Sequence, residues 1–93
     1  MIGEITVVPQ IEGGGRGIIK KAVAEIAAQG LRHQVGPTGT SVAGELVTIL
    51  EAVRAIESRL RADGVRRAVI EVRLQLEPHV ETLEHQVEGL AAA

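Results

Sequence analysis

Glu4 and Thr6 in the run Ile2-Gly3-Glu4-Ile5-Thr6-Val7-Val8-Pro9, and Glu71, Arg73 and Gln75 further along, stand two residues apart among β-branched and aliphatic neighbours. A period of two puts such residues on one face of a strand and Ile5, Val7, Ile70, Val72 and Leu74 on the other. Carboxylates and a hydroxyl gathered in this way are either a solvated sheet face, or a subunit interface or pocket. Thr38, Thr40 and Ser41 form a second group, crowding hydroxyls at the tight turn Gly36-Pro37-Thr38-Gly39. Such hydroxyls either cap local backbone groups or hold a ligand. A third feature, Gly13-Gly14-Gly15-Arg16-Gly17, is either a flexible loop or a set of amides and a guanidinium offered to an anion such as a phosphate ester. It matches no phosphate-loop motif, because Lys20-Lys21 has no glycine directly before it and no Ser or Thr after it.

Other chemistries find less support. His33, His79 and His85 are too scattered for a metal centre; the last two are six residues apart, off a common helix face, and are expected at the surface. Ser41 and Ser58 lack the surroundings of a nucleophile elbow. A phosphoryl hydrolase of the acylphosphatase type would grip its substrate with Arg16 but also needs an asparagine to position water, and the chain has no Asn. No catalytic set is expected, and no metal or tightly bound cofactor.

The chain has 93 residues, 45% hydrophobic and 24% charged, which fits one domain over residues 1–93. Its net charge of −2 supplies no global positive field for nucleic acid or an anionic membrane. No stretch resembles a secretory signal or a membrane span, so a cytoplasmic location is expected. The absence of cysteine excludes disulfides, thiolate metal sites and a thiol nucleophile. With no Phe, Tyr or Trp, the core must be built from Val, Ile, Leu and Ala. So thin a core favours self-association as a homodimer or homotetramer.

The elements needed to position these groups follow from periodicity. A strand is expected from Ile2 to Pro9, then a helix with Ile19, Val23 and Ile26 on its apolar face, stopped by Gly30. Short strands from Leu31 to Val35 and Thr40 to Gly44 flank the turn. Leu46, Ile49, Leu50, Val53, Ile56 and Leu60 mark one face of a long helix, and a strand alternates from Val65 to Glu77. Pro78 opens a last helix with Val80, Leu83, Val87 and Leu90 in a stripe. The order is an α+β, ferredoxin-like βαββαβ sandwich with an additional C-terminal helix. RNA-binding domains share this topology but stack bases on sheet aromatics, of which there are none.

Strand one ending in Pro9, the segment Gly30-Leu31-Arg32-His33-Gln34-Val35-Gly36-Pro37-Thr38-Gly39-Thr40, and Gly44-Glu45 opening the long helix resemble the small thiamine-binding protein family of the YkoF-like superfamily. Pro37-x-Gly39-Thr40 followed by Gly44-Glu45 is similar to that family's Pro-Met-Gly-Thr and Glu-Gly-Glu signature. Thr38 stands where the family often has Met, Ala43 where it has Glu, and His33 where it often has Tyr. The resemblance covers nearly the whole chain and implies an oligomeric ferredoxin-like subunit that binds thiamine, or its hydroxymethylpyrimidine portion, without catalysis. Such a ligand, a thiazolium cation joined to an aminopyrimidine, needs carboxylate, hydroxyl or backbone partners in an apolar cleft. Glu4, Thr6, Thr40, Ser41 and Glu71 supply them, and the segment carrying the resemblance adds His33 and Thr38 as candidate ligand-binding residues. The other reading is a regulatory or structural oligomerisation module with a different small-molecule ligand.

Overall fold

The β-branched run Ile5-Thr6-Val7-Val8 occupies the interior of the sheet, where branched side chains suit the pleat. It belongs to β1 (Ile2–Pro9), and the chain continues through α1 (Arg16–Ala28), β2 (Arg32–Val35), β3 (Thr40–Ala43), α2 (Leu46–Ala62) and β4 (Ala68–Gln75). The structure is a computed structural model that describes residues 1–10 and 15–76. The helix expected from Pro78, with His79 and His85, and residues 11–14 of the glycine-rich loop lie outside the described residues, while Arg16 and Gly17, expected in that loop, open α1.

The strands are antiparallel in the order β2-β3-β1-β4, which is the ferredoxin-like arrangement. β1 therefore has a partner on each side. Its register runs Glu4 opposite Arg73, Ile5 opposite Val72 and Thr6 opposite Glu71 on β4, and Glu4 opposite Ser41 and Ile5 opposite Thr40 on β3. β2 adds Gln34 opposite Ser41 and His33 opposite Val42.

Both helices cover the face that carries Ile5 and Val42. Ala22 and Ile26 of α1 and Ile49, Ala52, Ile56 and Leu60 of α2 close over them, with Leu31 at the entry to β2. The core is wholly aliphatic. Gly30 and Gly64 take φ of +74° and +79° immediately beyond the two helices, a conformation that glycine adopts without steric cost and that ends each helix. Strand four is shorter than its alternation suggests, since the Val65 amide donates to the Leu60 carbonyl at 2.9 Å in the turn that ends α2 and is lost to sheet pairing.

One polar cluster ties the helices together. Lys21 Nζ lies 2.9 Å and Arg59 Nε 3.2 Å from Asp63 Oδ2, while Arg59 Nη1 lies 3.3 Å from Glu25 Oε1. The hydrogen bond from Lys21 is the largest influence holding the Asp63 carboxyl below its ordinary value of 3.8; desolvation opposes it and Arg59 reinforces it. Among the described residues no helix is long and apolar enough to cross a membrane.

Candidate functional site

Because β1 is central, alternate residues along it collect neighbours from both flanking strands. On the face without a described helix, Ser41 and Arg73 stand on either side of Glu4, and Glu71 stands beside Thr6. Directly opposed residues of this kind have Cβ atoms about 4.5 to 5.5 Å apart. Four candidate residues, Glu4, Thr6, Ser41 and Glu71, thus share one surface with Arg73 and with Gln34 of β2.

The hairpin turn closes down on the same spot. Gly36 donates its amide to the Gly39 carbonyl at 2.8 Å, and Thr6 Oγ1 donates to the Thr38 carbonyl at 3.0 Å. Gly39 sits so near β1 that a Cβ there would lie 2.5 Å from Thr6 Oγ1 and 3.0 Å from Glu4 Cγ. Only a residue without a side chain brings the turn this close, which gives a physical reason for the glycine in the Pro37-x-Gly39-Thr40 motif.

Glu4, Glu71 and Arg73 form no ion pair among the described residues, although Glu4 faces Arg73 across the strands. The carboxylates remain open to an incoming donor. Two negatively charged acceptors, the Ser41 hydroxyl, the Thr6 oxygen as an acceptor and a guanidinium can receive an amino group, offset a cation and orient a polar ring.

Other candidates fall elsewhere. Thr40 is opposite Ile5 and only 5% exposed, on the helix-covered side, so the alternation of β3 separates it from Ser41. His33 is exposed on that same side of β2, with Nδ1 3.1 Å from the Leu31 carbonyl oxygen. It therefore shares no face with Ser41. Thr38 is exposed in the turn and contributes its carbonyl to Thr6. Among the described residues no group of three or more His, Asp or Glu is arranged to hold a metal.

Behind the turn lies a cleft of about 210 Å³ between β1, α1 and the hairpin. Ile19 and Val23 form its helix wall, Ile5 and Val7 its floor, and Thr38 and Thr40 its polar rim, with Thr6 bordering both cleft and sheet face. Ile19 and Val23, which helical spacing assigns to the core, are cleft residues instead. Gln34 and Val35 are not evident as site residues in the sequence, because only the strand register and the fold of the turn place them.

The family model described as thiamine-binding protein matches residues 3–90. Among solved structures, the chain is similar to a candidate thiamine biosynthesis or salvage protein from Thermotoga maritima, with 28% identity, a TM-score of 0.85 and 96% of each chain covered. It shares its fold with a hypothetical protein from Methanocaldococcus jannascii at 21% identity, a TM-score of 0.83, and 99% of this chain and 96% of that chain covered. A domain of unknown function from Bacillus cereus is similar at 23% identity and a TM-score of 0.79, over 92% of this chain and 85% of that chain. No curated protein matches the sequence. With a match that spans nearly its whole length, on a sheet that gathers Glu4, Thr6, Ser41 and Glu71 onto one face, the chain belongs to the thiamine-binding protein family.

Proposed function

We propose that this protein binds thiamine, or its hydroxymethylpyrimidine portion, without catalysis, and that it does so as a homo-oligomer. The observation that carries the reading is the convergence of Glu4, Thr6, Ser41 and Glu71 on one sheet face, with neither carboxylate engaged in an ion pair among the described residues. Glu4 and Glu71 accept the pyrimidine amino group and offset the thiazolium charge, while Thr6 and Ser41 orient the ring.

Self-association follows from the same face. A ligand held against an open sheet keeps one side in water, whereas small-molecule sites bury most of their ligand. A second copy of the chain closes the site. Val8 and Val69, paired in register on this face and 44% and 41% exposed, give such an interface an apolar contact.

The cleft behind the turn favours a second placement, in which the pyrimidine enters beside Thr38 and Thr40. Its 210 Å³ is below the range of roughly 300 to 1,000 Å³ usual for whole ligands, and so suits one ring rather than the complete vitamin. Calorimetric titration with thiamine, its phosphates and hydroxymethylpyrimidine tests the function. Saturable binding of thiamine or the pyrimidine alcohol supports it, and no heat from any of them sinks it.

A further inference from the structure

The turn that ends α2 forms a second cavity of about 480 Å³, on the α2 and β4 side of the sheet. Its apolar lining comes from Leu60, Val65 and Ile70, and its charged lining from Arg61, Arg66 and Arg67 against the single carboxylate of Glu57. Glu57 is already held by Arg61 at 3.7 Å. Arg66 and Arg67 form no ion pair among the described residues.

These arginines are not needed to cap the helix. Backbone amides of Asp63, Val65 and Gly64 already donate to the carbonyls of Arg59, Leu60 and Arg61 at 2.9 to 3.1 Å. The Gln10 amide donates to the Arg67 carbonyl at 3.0 Å, which fixes the backbone that carries the pair. A chain of net charge −2 thus sets three arginines and one carboxylate around a hollow that is part polar and part aliphatic, and whose volume lies in the usual ligand range.

We infer that this cavity is a binding site for an organic phosphate monoester, with the phosphate on Arg66 and Arg67 and an apolar body on Leu60, Val65 and Ile70. Guanidiniums match phosphate oxygens in a two-pronged geometry, and the aliphatic lining discriminates an ester from the inorganic ion. The site is separate from the face of Glu4 and Glu71, and the inference stands whether or not thiamine binds there.

Hexyl phosphate, inorganic phosphate and 1-hexanol, each titrated into the intact protein and followed by backbone amide shifts, test it. Hexyl phosphate should move the amides of residues 65–68, leave those of Thr6 and Glu71 in place, and bind more tightly than either half alone. The double variant Arg66→Gln, Arg67→Gln, with both changes at exposed positions, should weaken it about tenfold or more. Equal affinity for inorganic phosphate, undiminished binding in the double variant, or no shift near residues 65–68 would each overturn the inference.

Discussion

Thr6 Oγ1 donates a 3.0 Å hydrogen bond to the carbonyl oxygen of Thr38, tying the central strand to a turn 32 residues further along the chain. The bond holds Gly39 over Glu4 and Thr6, and so sets the shape of the site's rim. Gly39→Ala tests this relationship. A methyl 2.5 Å from Thr6 Oγ1 must push the turn away or break the bond, at a cost of about 1 to 3 kcal/mol. The expected outcome is a lower melting temperature and faster amide exchange at Gly36, with ligand affinity reduced; unchanged stability and exchange would show that the turn has room to spare.

The aliphatic core sets a second expectation. Ile56 is fully buried on α2 among residues of both helices and the sheet, and no aromatic ring is present to fill a vacated space. Ile56→Ala should cost about 2 to 5 kcal/mol in chemical denaturation. A loss well under 1 kcal/mol would mean that the core collapses around the gap.

Much of this architecture is legible in the sequence where the period is two. The alternation in β1 and β4 assigns Glu4, Thr6 and Glu71 to one face, and the register bears that out. Helical faces are read less well. Spacing groups Ile19 and Val23 with Ile26, yet Ala22 and Ile26 are the buried pair while Ile19 is 42% exposed, since the hairpin turn stops short of α1 and leaves the cleft between them. Thr40 and Ser41 look like one hydroxyl cluster in the sequence. Within a strand, consecutive residues face opposite ways, and the two part company.

Acid should loosen the contact between the helices. Asp63 has a carboxyl pKa lowered in the folded state by Lys21 and Arg59, so its contribution is complete above the ordinary value of 3.8 and is lost as pH falls through the lower folded value. Asp63→Asn should flatten the decline in melting temperature as pH falls through and below 3.8. A variant with the same acid limb as the parent would remove Asp63 from the explanation.

Assembly is open to light scattering. The exposed pair of Val8 and Val69, on a face that no described helix covers, predicts a dimer or tetramer at micromolar concentration. A monomer under those conditions would contradict the proposed enclosure of the ligand by a second copy.

If the carboxylates of Glu4 and Glu71 hold the ligand as proposed, thiamine affinity measured by calorimetry falls in both Glu4→Gln and Glu71→Gln. Both substitutions keep the side-chain shape and remove the charge at positions outside the core. Loss of a charge-assisted hydrogen bond costs roughly 1.5 to 3 kcal/mol, so each variant should bind about ten- to hundredfold more weakly while its melting temperature stays near that of the parent. Unchanged affinity in both variants, with the fold intact, would contradict the sheet-face site and move the ligand to the cleft beside Thr38 and Thr40.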